Sequence, residues 1–205
     1  MPGEEAAEQT KMEERRREIW TLPNLLTLLR VLLIPVFLWL MILGQTRGAF
    51  AVFLLAGMTD FLDGMAARLW RQSSKIGLWL DPAADKLLLT AAYVILGMPG
   101  IAQPNVIPFW VLFIVIGRDV LIVLSALVLI KWTGQREFYP TLIGKTTTVC
   151  QVLTVLAVLL FNAIPLKTEV LSWFYLLTSS ATVLSGIDYA IKGCQMISRK
   201  NKREA

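Results

Sequence analysis

The sequence contains no histidine in 205 residues, only two cysteines, and only 17% charged residues. Without imidazole there is no histidine general acid or base, no haem ligation through histidine, and no zinc site of the usual mixed type. The two thiols, Cys150 and Cys194, both sit in apolar runs. Neither has a partner at metal-ligand spacing, so both read as small apolar residues in helices. A soluble domain of this length carries about 25% charged residues. The shortfall here is matched by 56% hydrophobic residues gathered in runs, several of which reach the roughly 20 residues needed to cross a bilayer. Residues 1–19 are polar and charged, with no apolar core or cleavage site, so they do not read as a secretory signal. The stretch 4–20 fits a helix lying on the membrane surface, with a thin apolar face of Ala7, Met12, Ile19 and Trp20.

The runs predict an all-α polytopic membrane protein with six transmembrane helices at about 24–43, 49–69, 81–98, 106–131, 145–164 and 170–191, after a short N-terminal surface helix. Proline marks several entries, at Pro23, Pro82 and Pro108, with Pro140 and Pro165 in connections. Asp81-Pro82 alone reads as a helix start with aspartate as N-cap. No internal repeat is present. The expected organisation is a cytoplasmic arm at 1–22, one six-helix domain at 23–192, and a basic tail at 193–205.

Charge placement orients these spans. The formal net charge is +5, and 15 of the 20 lysines and arginines fall in the N-terminal arm, the 2–3 and 4–5 connections and the C-terminal tail. Only Arg47 and Lys167 fall on the other side, so both termini are expected in the cytoplasm. The basic segments suit an anionic membrane surface rather than nucleic acid. Trp20, Trp70, Trp79 and Trp132 fall near the cytoplasmic ends, and Trp39, Trp110 and Trp173 near the opposite ends, as interfacial anchors.

Several charges lie inside apolar sequence: Arg30, Asp60, Asp63, Asp81, Asp85, Lys86, Arg118 and Asp119. An aspartate at the bilayer centre costs about 2.5–3.5 kcal/mol, so four cost about 10–14 kcal/mol without compensation. Asp60 and Asp63 are three apart and Asp81 and Asp85 four apart, so each pair shares a helix face. Two such helices packed together form an oxygen-only cage, which suits Mg²⁺ or Mn²⁺. Two ions in such a cage can clamp the attacking and leaving oxygens of a phosphoryl transfer. Gly64, Ala67 and Gly77 leave room for a ligand, and Arg68 can hold a phosphate through paired hydrogen bonds. Taken singly, the small residues read as helix packing and Arg68 as part of a solvated loop. No packing rule calls for four aspartates at these spacings, and the combination reads as a nucleotide-diphosphate site.

The run from Asp60 to Arg68, followed by Gly77, Asp81 and Asp85, resembles the signature of the CDP-alcohol phosphatidyltransferases, Asp-x2-Asp-Gly-x2-Ala-Arg-x8-Gly-x3-Asp-x3-Asp. All eight fixed residues are present, a match expected by chance on the order of once in 10⁷ chains. Pro23-Asn24 with Thr27 and Arg30, then Arg118-Asp119, and then residues 140–151, are similar to the glycerol-type branch. The resemblance implies that Asp60, Asp63, Asp81 and Asp85 bind metal, two ions of Mg²⁺ or Mn²⁺, and that Asp85 also takes the proton of the acceptor hydroxyl. It implies that Asn24, Asp63, Gly64, Ala67, Arg68 and Gly77 frame the CDP group, and that Arg30, Arg118 and Lys145 serve the acceptor's phosphate. The implied reaction is attack of an alcohol on CDP-diacylglycerol, with CMP leaving, at a site open to the cytoplasm. It also implies a homodimer in a bacterial inner membrane.

Two acceptors compete: phosphatidylglycerol, giving cardiolipin, and glycerol 3-phosphate, giving phosphatidylglycerophosphate. The second branch often shows Gly-Lys-x-Lys-Thr where this chain has Gly144-Lys145-Thr146-Thr147-Thr148. Loss of a cation at Thr147 disfavours a free phosphate monoester, so phosphatidylglycerol is the expected acceptor. For Arg118 and Asp119 a buried ion pair is the competing reading, and for Lys145 an interfacial lysine at a helix start. Carboxylates in membrane helices also mark ion pathways, which makes a cation transporter the distant alternative. Transporters commonly carry such features in both halves, whereas Asp188 stands alone in the last two spans.

Overall fold

The computed structural model describes residues 22–70, 77–133 and 142–204. Inside its helices, the side chains of 22–24, 60–70, 77–82, 126–133, 142, 194 and 196–204 lie outside the described residues. The expected N-terminal surface helix lies outside them too.

Six helices make up the secondary structure of the described residues: α1 Leu22–Ile42, α2 Thr46–Trp70, α3 Gly77–Leu96, α4 Phe109–Thr133, α5 Leu142–Ala163 and α6 Val170–Glu204. No strand occurs among them. Among the described residues, Leu25–Ile42, Ile143–Ala163 and Val170–Gly193 are long and apolar enough to cross a membrane, and the Thr46–Thr59 part of α2 is apolar too. The six expected helices are present, and membrane-spanning length and apolarity are established for three.

Two starts differ from the sequence reading. Helix α3 begins at Gly77, so Asp81 and Pro82 lie inside it and Asp81 is not its N-cap. The apolar residues 77–80 extend the helix backwards, and Pro82 removes only one hydrogen bond near its beginning. Helix α4 begins at Phe109 rather than 106. Pro108 stands just ahead of it, its carbonyl accepting from Val111 N at 3.0 Å and Leu112 N at 3.3 Å.

The chain divides into two compact units, residues 1–92 and 93–205, with the boundary inside α3. In the first unit α1 and α2 form a hairpin. Gly44, at φ +71°, ends α1. Gln45 N donates to Leu40 O at 2.9 Å and Gly44 N to Met41 O at 3.0 Å, the paired bonds of a Schellman cap. A Cβ on Gly48 would meet Leu40 Cδ1 at 3.4 Å, so the two helices run close from the turn onwards. Phe37 and Met41 of α1 and Ala49, Phe53 and Ala56 of α2 are buried. The rings of Phe37 and Phe53 stand 5.7 Å apart, tilted by 51°.

In the second unit α6 packs against both α4 and α5. The α5–α6 seam is polar. Thr154 and Thr178 share a hydroxyl hydrogen bond of 2.6 Å, Thr178 also donates to Cys150 O at 3.1 Å, and Thr147 donates to Ile143 O at 2.8 Å and Ala181 O at 3.0 Å. In an apolar solvent such hydroxyls must find carbonyls, and each does so across or along the seam. A second polar cluster ties the connections together. Asn105 N and Nδ2 both donate to Asn162 Oδ1, at 2.8 and 2.9 Å, and Asn162 Nδ2 donates back to Asn105 O at 2.8 Å. Helix α6 continues through the basic segment to Glu204, with Lys192 donating to Asp188 at 2.7 Å one turn away.

Candidate functional site

The sequence period relates the carboxylates of α2 to its buried positions. Positions 49, 53 and 56 are buried, and the same steps of three and four continue to 60, 63 and 67. Asp60, Asp63 and Ala67 thus continue the register of the face that packs inside the first unit. Helix α3 does the same: 81, 85, 88 and 92 follow one register, and Leu88 and Ala92 are buried. By helix period, each acidic pair falls in register with buried positions elsewhere on its helix. Thr59, beside Asp60, is buried and donates back to Ala56 O at 2.7 Å.

Of the four aspartates, Asp85 has a described side chain. Arg30 Nη1 donates to its Oδ1 at 2.5 Å. The Arg30 side chain is fully buried and that of Asp85 is 37% exposed. Arg30 lies in α1 and Asp85 in α3. The side chains of Asn24, Asp60, Asp63, Gly64, Ala67, Arg68, Gly77 and Asp81 lie outside the described residues. Their backbone positions are in α1, in the last turns of α2, and in the first turns of α3.

The sequence-predicted acceptor residues separate between the units. Arg30 is in the first, committed to Asp85 through Nη1. Arg118 and Lys145 are in the second. Arg118 is buried, pairs with Asp119 Oδ1 through Nη1 at 2.8 Å, and donates to Ser185 Oγ through Nη2 at 2.7 Å. The Tyr189 ring centroid lies 5.6 Å from its guanidinium carbon. The ion-pair reading of Arg118-Asp119 is therefore realised, and Ser185 and Tyr189 join it from α6, a partnership no local sequence signal announces. Lys145 is exposed. Thr147 is fully buried against α6, so the missing cation at this position is also a packing requirement of the seam.

An oxygen-only donor set fits a hard divalent cation. Asp85, anchored through one oxygen yet partly exposed, is compatible with a ligand role. Among the described residues no three candidate ligands form a cluster.

A family model described as CDP-alcohol phosphatidyltransferase matches residues 20–184. A human protein named cardiolipin synthase (CMP-forming) is 34% identical over 199 residues, covering 87% of this chain and 64% of its own length. The rat protein of the same name is 33% identical over 202 residues, covering 88% and 65%. A Streptomyces coelicolor protein of that name is 30% identical over 157 residues, covering 72% and 68%. This chain thus spans a little under two thirds of the two mammalian relatives.

Proposed function

Because this chain belongs to the CDP-alcohol phosphatidyltransferase family, we propose that it transfers the phosphatidyl group of CDP-diacylglycerol to phosphatidylglycerol, forming cardiolipin and releasing CMP. The feature that carries the chemistry is the spacing of four aspartates at positions 60, 63, 81 and 85, each pair in register with buried positions on its own helix. The choice of acceptor is supported by relatives named cardiolipin synthase (CMP-forming) over most of the chain and by Thr147 in place of a lysine.

In this reading Asp60, Asp63, Asp81 and Asp85 hold one or two ions of Mg²⁺ or Mn²⁺. Bound there, the ions neutralise the diphosphate and stabilise the charge that develops on departing CMP. Asp85 accepts the proton of the acceptor hydroxyl as its oxygen forms the new bond to the β-phosphorus. The bond from that phosphorus to the bridging oxygen breaks, and the electron pair leaves with CMP. Gly64, Ala67 and Gly77, with Asn24, let the CDP group approach the backbone, and Arg68 holds phosphate oxygen. Lys145, which is exposed, is the acceptor-side cation, while Arg118 stays in its ion pair with Asp119. The protein works in a bacterial inner membrane as a homodimer, with the site and both termini facing the cytoplasm.

The test supplies purified protein in liposomes with CDP-diacylglycerol, Mg²⁺ and either phosphatidylglycerol or glycerol 3-phosphate, and reads lipid products by mass spectrometry. Cardiolipin from phosphatidylglycerol is expected, with activity lost on chelation and regained with Mg²⁺. Phosphatidylglycerophosphate from glycerol 3-phosphate alone would keep the chemistry and reverse the acceptor. Asp81→Ala is expected to abolish CMP release, and full activity in that variant would remove the metal assignment.

A further inference from the structure

The Arg30–Asp85 pair has an asymmetry that a simple stabilising ion pair does not need. Arg30 has no exposed surface, while Asp85 keeps 37% of its side chain exposed. A phosphate reaching Arg30 would have to enter space the protein already fills. Thr27, one turn earlier on α1, is fully buried too. The guanidinium is thus a fixed point and the carboxylate is the group that faces outwards.

We propose that Arg30 is a positioning residue: by donating through Nη1 to Oδ1, it sets the orientation in which Asp85 meets the acceptor hydroxyl and the metal. This rests on the role of Asp85 proposed above. A half-exposed aspartate turns about two side-chain bonds, and packing alone does not hold it. A donor from a buried, planar guanidinium removes much of that freedom. Misplacement of a reacting group by about 1 Å can cost on the order of 100-fold in rate, so the pair governs turnover rather than affinity. Arg30 in this role touches neither acceptor nor CDP group, which separates it from Arg68 and Lys145.

The test uses the full chain in liposomes with saturating Mg²⁺ and compares Arg30→Lys, Arg30→Gln, Asp85→Asn and Arg30→Lys/Asp85→Asn. Lysine keeps the charge but loses the planar fork, and glutamine keeps a donor without the charge. For Arg30→Lys, kcat is expected to fall about 10–100-fold, with KM for CDP-diacylglycerol and for phosphatidylglycerol each within about 3-fold of the parent. In the Asp85→Asn background the same change should lower kcat less than about 3-fold, because the residue it positions is already disabled. Two readouts do not depend on turnover. Mn²⁺ affinity of Arg30→Lys by electron paramagnetic resonance should stay within about 10-fold, since all four carboxylates remain. The metal-free melting curve should remain cooperative in Arg30→Lys. If lysine prevents folding, Arg30→Gln carries the same comparison. An unchanged kcat with a raised acceptor KM would make Arg30 an acceptor ligand and overturn the proposal, as would equal, independent losses in the double variant. Parental kcat in Arg30→Lys beside an inactive Asp85→Asn would remove the proposal alone. Parental kcat in Asp85→Asn would remove the reading of Asp85 and the proposal with it.

Discussion

At the scale of single residues, the proposed base role of Asp85 is separable from its ion pair, because its partner Arg30 is fully buried. Removing a general base lowers turnover about 10²–10⁴-fold. Removing one member of a buried ion pair also leaves the other charge uncompensated, at about 3–5 kcal/mol. Asp85 is partly exposed, so the low end of that range applies. Asp85→Ala is therefore expected to lose activity and about 3 kcal/mol of stability. Adding Arg30→Met should restore much of the stability, because an apolar side chain of similar length fits the buried space without a charge. It should restore no activity. Melting curves and CMP release on the two variants check this. Recovery of activity in the double variant would mean that Asp85 serves only the ion pair.

At the scale of elements, the α1–α2 hairpin depends on one backbone conformation. Gly44 sits at φ +71°, and a Cβ added there would meet nothing within 4 Å, so an alanine is strained without being crowded. Gly44→Ala is expected to cost about 1 kcal/mol, read as a lowered melting midpoint with CMP release unchanged. A loss of activity at unchanged stability would tie the turn to the site. All six helices were legible from apolar runs and prolines, and Gly44 fell in the expected gap between the first two. The starts were less legible: Asp81-Pro82 carries every mark of an N-terminus, yet residues 77–80 are apolar enough to carry the helix back to Gly77. The acidic spacing was legible because helix period is a local property. The Arg30–Asp85 partnership was not, because it joins residues 55 apart on two different helices. Arg118 with Ser185, 67 apart, escaped for the same reason. Thr147 read as a missing cation, whereas its burial against α6 depends on a helix that sequence spacing does not bring near.

At the scale of the whole molecule, the surface argues for lipid and the charges argue for orientation. Large apolar side chains such as Leu32, Phe113, Leu121, Leu177 and Leu184 are exposed along the helices, which a membrane covers and water does not. Trp39, Trp110 and Trp173 are exposed as well. They lie near the end of α1 and the starts of α4 and α6, the helix ends assigned to one interface by the basic-residue distribution. If all six helices cross, the connections at 43–45, 97–108 and 164–169 lie on that side and Gln195 lies on the other. Single cysteines test this in a background lacking Cys150 and Cys194. Gln45→Cys and Gln103→Cys, both at exposed positions, are expected to react with a membrane-impermeant maleimide in right-side-out vesicles, and Gln195→Cys only after permeabilisation. The reverse pattern would invert the protein and move the site away from the cytoplasm. Labelling of Gln45→Cys but not Gln103→Cys would mean that an odd number of crossings separates them, so α2 and α3 would not both span. The two acidic pairs keep a common side in either case, because Asp60 and Asp63 close α2 and Asp81 and Asp85 open α3, so both flank the one connection between these helices. What the crossings decide is which face of the membrane that side is, and so from which compartment a water-soluble product such as CMP would leave.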